Sequence, residues 1–210
     1  MKRLPVILGL GGCMTLVALC LVICVSGSAE AQGWRFPIGL TGVTGYGDVV
    51  DLYEENLEAD GYTTEAGWNV PVGISFNPYY EFGSGFRIGT GFGPMSYLMT
   101  SGTSDDVYFF DVPVNANIGF TFFPDASVAP YVRAGVMYHL AAGDYVEDVS
   151  PGFFAGAGIE FMRNRKVALG LEVAFDTSEI EFQKHYPNSS RITMEEIKPY
   201  EVMISIFAAF

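Results

Sequence analysis

Beyond position 24 the chain has no cysteine: Cys13, Cys20 and Cys24 are its only three, all within the first apolar segment. The remainder therefore has neither a disulfide framework nor a thiolate-bound metal. Positive charge is scarce as well. Eleven Lys+Arg against 24 Asp+Glu leave a formal net charge of −13, which repels phosphate backbones and argues against nucleic acid as a partner. After Val25 no apolar run approaches the roughly 20 residues of a transmembrane helix. Yet half of the 210 residues are hydrophobic, 15% are aromatic and 25 are glycine. An apolar chain without a spanning helix can place its lipid-facing residues at alternate positions of tilted strands.

The N-terminus reads as a secretory signal peptide. Lys2 and Arg3 precede an apolar stretch from Leu4 to Val25, and Ala29-Glu30-Ala31 supplies an Ala-x-Ala cleavage site. Ile23 stands before Cys24 where a lipobox has a small residue, which disfavours a lipoprotein. Cleavage after Ala31 removes Lys2, Arg3 and Glu30 and takes the net charge from −13 to −14. The division expected is a signal peptide over 1–31 and one domain over 32–210. The far end is equally informative. Tyr200, Val202, Ile204, Ile206, Ala208 and Phe210 alternate along a closing strand that ends on an aromatic.

Period-two reading gives eight strands, at 34–46, 68–82, 86–98, 107–123, 128–140, 153–162, 167–182 and 197–210. The fourth has the clearest alternation, with Tyr108, Phe110, Val112, Val114, Ala116, Ile118, Phe120 and Phe122 opposite Asp111, Asn115, Asn117 and Thr121. Connections alternate too. Short turns at 83–85, 124–127 and 163–166 separate long loops at 48–65, 99–106, 143–152 and 184–196. Short turns on one side, long loops on the other and an even strand number describe a transmembrane antiparallel up-and-down β-barrel. A water-soluble, lipocalin-like barrel is the alternative, with apolar residues inside; the turn–loop asymmetry and the terminal Phe210 favour the membrane form.

Parity places Arg87, Arg133, Glu160, Glu172 and Glu201 on the polar, inward side. Eight strands leave a lumen only wide enough for side chains, and charges there must pair. The cluster thus reads as a salt-bridged plug, with a gated ion path as the competing reading. The first loop carries Asp48, Asp51, Glu54, Glu55, Glu58, Asp60 and Glu65 with no basic residue. A short amphipathic helix through Val49, Val50, Leu52, Tyr53 and Leu57 is expected within it. Hard cations take carboxylate oxygens, but the spacing matches no EF-hand loop, so a solvated acidic surface is the reading retained. His139 lies near the outer end of the fifth strand and His185 in the last loop. No nucleophile is spaced to serve either as base. No catalytic, cofactor-binding or metal-ligating residue is therefore assigned, and no cofactor is expected. Aromatics such as Tyr79, Tyr80, Phe82, Phe122, Phe123, Phe207 and Phe210 gather near the turn side, as in a membrane-interface girdle.

The signal peptide, the eight alternating strands, the turn–loop asymmetry and terminal Phe210 together resemble the small bacterial outer-membrane β-barrels of the OmpA-like or OmpX-like kind. The resemblance spans 32–210 and rests on architecture, with no diagnostic internal motif. It implies an outer-membrane location and a non-enzymatic role in envelope integrity or surface interaction. It also implies contact with lipid and lipopolysaccharide and a surface ligand. Tyr200 and Phe210 are implied as the C-terminal signal read by the barrel-assembly machinery. Two other readings stay open: an OmpW-like narrow conduit for small hydrophobic molecules, and a lipid A hydrolase. The hydrolase lacks its expected pattern, since Pro187 stands where a His-x-Ser-Asn sequence would have serine.

Overall fold

The computed structural model describes residues 32–63, 65–69, 72–101 and 106–210; the expected signal peptide lies outside them. Among the described residues are one helix, α1 (Tyr46–Ala59), and fifteen strand segments. These are β1 (Gly33–Arg35), β2 (Pro37–Val43), β3 (Glu65–Asn69), β4 (Val72–Phe76), β5 (Tyr79–Glu81), β6 (Phe86–Phe92) and β7 (Ser96–Ser101). There follow β8 (Asp106–Thr121), β9 (Val128–Gly143), β10 (Val146–Ser150), β11 (Gly152–Phe161), β12 (Ala168–Asp176), β13 (Glu179–His185), β14 (Ile192–Ile197) and β15 (Val202–Ala209).

Most segments join into eight antiparallel staves: β1 with β2, β3 to β5, β6 with β7, then β8, β9, β11, β12 and β15. The last stave pairs with the first, from Met203↔Val43 to Ala209↔Pro37, so the sheet closes on itself and leaves no edge at this level. The fold is a closed eight-stranded antiparallel barrel, as the alternation predicts.

The direction of the alternation is the membrane one. On β8 and β9, Phe110, Ile118, Phe120, Val132, Val136 and Leu140 point outward and are exposed, while Asp111, Asn115, Asn117, Thr121 and His139 are buried. Leu169, Leu171, Val173 and Phe175 on β12 alternate the same way. An apolar outer band over a polar interior suits hydrocarbon outside and internally satisfied polar groups. The aromatics of the turn side form a contiguous set, with Trp34 against Tyr80, Tyr80 against Phe82, and Phe82 against Phe86.

The loop side departs from the sequence reading in three ways. The first strand ends at Val43, and Tyr46 belongs to the helix, because Gly45 takes a left-handed φ of 88° and turns the chain inward. The segments expected to be loops at 143–152 and 184–196 are partly strand, and the seventh strand, expected to run to 182, stops at Asp176: β10, β13 and β14 form a separate three-stranded sheet above the barrel. The closing strand begins at Val202 because the chain bends at 198–201, and Ile197 belongs to β14. Period two persists across that bend in the sequence but not in space.

The helix follows from its own residues. Tyr46, Val49, Tyr53, Asn56 and Leu57 recur at helical spacing and are buried, with Leu52 beside them. A Schellman pattern stops it. Gly61, with φ 88°, donates to the Glu58 carbonyl, and Tyr62 donates to that of Leu57. The acidic residues of this loop lie mostly on the helix's exposed side, while its apolar face enters the barrel mouth.

Candidate functional site: a filled lumen

The lumen holds three layers, beginning at the turn side with a ring of charges. Glu81 ends the second stave, Arg87 begins the third, Glu160 ends the sixth, and Arg163 follows in the turn. Glu81 Oε2 accepts from Arg87 Nε at 2.8 Å, and Arg87 Nη2 reaches Glu160 Oε1 at 3.0 Å. Glu160 Oε2 faces Arg163 Nε at 2.8 Å, and Arg163 Nη2 returns to Glu81 Oε1 at 2.5 Å. Two carboxylates and two guanidiniums thus alternate around a closed circuit in which all four are buried. The Arg87 guanidinium lies between the rings of Tyr79 and Tyr131, 4.2 and 4.4 Å from their centroids. The Tyr79 hydroxyl donates to Glu160 at 2.8 Å, and Arg163 Nη1 donates to the Pro124 carbonyl at 2.9 Å.

Still in this first, turn-side layer, Arg133 forms a two-pronged pair with Glu172, at 2.7 and 2.5 Å, which Tyr131 joins through its hydroxyl at 2.7 Å. Beside it Thr41 links Ser75 and Ser205 at 2.9 and 2.7 Å, tying the first, second and eighth staves. The space left here is a cavity of about 30 Å³ lined by Asn77, Tyr79, Arg87, Asn117, Arg133 and Glu172 among others. That admits about two or three waters, since a water needs roughly 10–15 Å³ by the same measure.

The middle layer is a clasp around His139. Its Nδ1 lies 2.6 Å from Asp111 Oδ2 on β8, and its Nε2 lies 2.7 Å from Ser178 Oγ and 3.2 Å from Asp176 Oδ2. Tyr200 stacks on the imidazole with centroids 5.1 Å apart, and its hydroxyl bonds to Ser96. Asp111, His139 and Ser178 resemble a hydrolytic triad in distance alone. The Ser178 hydroxyl is also 2.5 Å from Asp176 Oδ2, so its single proton has a carboxylate to go to. Both imidazole nitrogens face acceptors, and all four side chains are buried. A nucleophile needs its base to take that proton and a path for substrate; here Asp176 competes with His139 for the Ser178 proton, and the group is enclosed by the barrel wall.

The third layer is α1 itself. Tyr46, Val49, Leu52, Tyr53 and Leu57 pack in one apolar cluster with Leu98, Phe109, Met137, Phe154, Ile180 and Phe182 from the surrounding strands. Phe109 touches the rings of Tyr46, Tyr53 and Phe182, with centroids 5.5 to 6.2 Å apart. The Tyr53 hydroxyl donates to the Asp144 carbonyl. Asn56 spans β13, donating to the Gln183 carbonyl at 2.7 Å and accepting from the His185 amide at 2.8 Å. The outer end carries ion pairs of Lys184 with Glu195 and Glu55, and His185 Nδ1 lies 2.9 Å from Asp60 Oδ1. Bonds to Glu195 and Glu55 push the Lys184 ammonium above the ordinary lysine range. Burial, and then the charge of Asp60, push the Tyr145 phenol up to about 12.

Four of the five expected lumen charges, Arg87, Arg133, Glu160 and Glu172, therefore lie inside and in contact with opposite charge. Glu201 does not. It is exposed at the bend before β15, a correction that follows from the break in the closing strand. Tyr200 is a second correction: it turns into the lumen onto His139 and does not share the lipid-facing side of Val202, Ile204 and Ile206. Phe210 sits at the first stave, its carbonyl accepting from the Phe36 amide at 3.2 Å. The reading missed Glu81, Arg163 and the partners of His139. Glu81, Asp111, Asp176 and Ser178 were visible as inward by parity, but nothing in the sequence shows which inward residues share a height.

OprG from Pseudomonas aeruginosa is similar in structure with a TM-score of 0.56 at 8% identity, covering 87% of this chain and 98% of that one. The outer membrane protein AlkL, solved by solid-state NMR in DMPC lipid bilayers, gives 0.45 at 12% identity, covering 88% and 92%. Neisserial surface protein A gives 0.39 at 11%, covering 86% and 95%. No curated protein matches the sequence. Residues 16–190 match the family described as outer membrane protein beta-barrel domain. The chain belongs to this family of outer-membrane β-barrels, and its place is the cell outer membrane.

Proposed function

We propose that the protein is a self-plugged, non-enzymatic barrel that serves envelope integrity or surface interaction and carries no solute through its resting lumen. The observation behind this is the seating of α1. Five of its apolar residues are buried in the mouth, above a clasp and a charge ring whose enclosed cavity has room for about two or three waters. Contacts with lipid and lipopolysaccharide, and a surface ligand for the acidic outer face, belong to the same proposal. So does recognition of Phe210 by the barrel-assembly machinery. Dye-loaded liposomes carrying the protein test the closed lumen: they are expected to retain a small fluorescent solute, and rapid efflux overturns the reading.

A second reading, a conduit for small hydrophobic molecules, is favoured by one observation. The outer third of the lumen is apolar, and among the described residues β3 pairs only with β7 and β14 only with β13. Uptake of an apolar probe that depends on the protein supports it; uptake equal to that of empty liposomes rejects it.

A further inference from the structure

We propose that the outer wall above the turn at 163–166 docks one anionic phospholipid, its phosphate on Arg165 and Lys166 and an acyl chain in a hollow over Ala208. This names a lipid for the membrane contacts proposed above and rests on that reading. The hollow follows from the register. Leu169, Ala208 and Ile38 are cross-strand partners on three neighbouring staves, and Leu171, Ile206 and Leu40 form the next outward row. Ala208 is the one small side chain among these six. The wall therefore dips there, leaving a hollow of about 600 Å³ with an apolar lining, a size within the roughly 300–1,000 Å³ of small-ligand pockets. Leu40, Leu171 and Ile206 on its rim stay half exposed or more.

The lower end of this hollow carries positive charge. Phe161↔Leu169 is the last rung of the β11–β12 hairpin, and the turn below it holds Arg165 and Lys166, both exposed. Among the described residues neither meets a carboxylate, whereas Lys184 and Lys198 on the loop side both do. Short turns of outer-membrane barrels face the periplasm, which sets this pair at the periplasmic leaflet. The outward row of the first stave gives the height: below Ile38 stand Phe36 and Trp34, their rings stacked, and Trp favours the lipid–water boundary. Cations at that level attract anionic lipid, and their apolar stems can lie along the wall. An apolar hollow ending in two unpaired cations, on a chain of net charge −13, matches an anionic head with an apolar tail. A second hollow, of about 670 Å³, lies among Phe86, Phe120, Ala157 and Phe175. The turns beneath its Phe86 and Phe120, at 83–85 and 124–127, carry Asp125 as their only charge, so it lacks the anion-binding end.

Native mass spectrometry can count the lipid retained by the barrel released from bilayers of equal parts phosphatidylglycerol and phosphatidylcholine. The boiling-dependent gel shift is read on the same preparation. The unaltered chain is expected to retain phosphatidylglycerol about five- to thirtyfold over phosphatidylcholine, the effect of one to two cations near the surface. Arg165→Glu plus Lys166→Glu should abolish the preference, while Arg191→Glu plus Lys198→Glu on the loop side should leave it. Ala208→Phe, which fills the hollow, should lower phosphatidylglycerol retention, and Ala157→Phe in the second hollow should not. If Ala208→Phe loses the gel shift, Ala208→Leu takes its place. An equal fall from both cation pairs, or from both filled hollows, overturns the site, as does a preference that survives Arg165→Glu plus Lys166→Glu. A gel-shifting chain that retains both lipids equally overturns the site alone; a chain that never gives the shift overturns the barrel reading and the site with it.

Discussion

Glu81→Ala tests the charge ring at a carboxylate with three buried partners. The Glu81 carboxylate is fully buried and accepts from Arg87 Nε at 2.8 Å, Arg163 Nη2 at 2.5 Å and Thr121 Oγ1 at 2.6 Å. Truncating it leaves two buried guanidiniums sharing Glu160. Removing one partner of a buried pair costs about 3–5 kcal/mol. Glu160 still lies 3.0 and 2.8 Å from the two arginines, and water can enter the vacated space, so the lower end applies. We expect a loss of about 3 kcal/mol, roughly a hundredfold in the folding equilibrium. Urea unfolding in lipid bilayers, followed by tryptophan fluorescence and by gel mobility of the unboiled protein, measures it. Glu81→Ala with Arg163→Ala removes one charge of each sign and leaves Arg87 paired with Glu160. The double change should therefore be at least about 1 kcal/mol milder than the sum of the single ones. A loss under about 0.5 kcal/mol for Glu81→Ala, or strict additivity, refutes the ring as a cooperative unit.

The clasp gives a parallel expectation. His139→Ala leaves Asp111 and Asp176 buried without their common partner and should cost about 3 kcal/mol in the same assay; Asp176→Asn, which keeps the shape, should cost less. Asn56→Ala removes two bonds to β13 and should cost about 1–3 kcal/mol, read as a lower unfolding midpoint. Tyr145 supplies a pH prediction. A phenol whose folded pKa is raised stabilises below the ordinary tyrosine value of about 10, and that contribution fades as pH climbs through the raised value. With Tyr145 pushed up to about 12, the unaltered protein should lose more stability than Tyr145→Phe between about pH 10 and 12, in parallel urea titrations. If Phe210 is the assembly signal, Phe210→Ala should reduce the yield of gel-shifting barrel in isolated outer membranes, and an unchanged yield rejects the assignment.

What the sequence made legible divides along physical lines. Strands such as β8 and β12 face hydrocarbon on one side and packed polar groups on the other, so their two-residue period is unbroken and their parity reliable. The helix α1 was half visible: Val49, Leu52, Tyr53 and Leu57 show the apolar stripe, but only the fold shows that the barrel mouth is what buries it. Above the membrane level both faces of a strand meet water or protein, the alternation loses contrast, and β10 and β14 read as loop while most of β13 reads as a continuation of the seventh strand. Glu201 and Tyr200 were misplaced because parity was carried across the bend at 198–201. The clasp needs Asp111, His139 and Ser178 at one height, which strand tilt and stagger decide. Arg163 reads as a turn residue because its long side chain returns to the lumen from outside any strand.

Planar-bilayer recording on the reconstituted barrel, with the boiling-dependent gel shift measured on the same preparation, tests the filled lumen most directly. The expected result is a folded, gel-shifting protein that leaves the bilayer electrically silent. Stable conductance steps from that same folded protein would show a continuous aqueous path and contradict it.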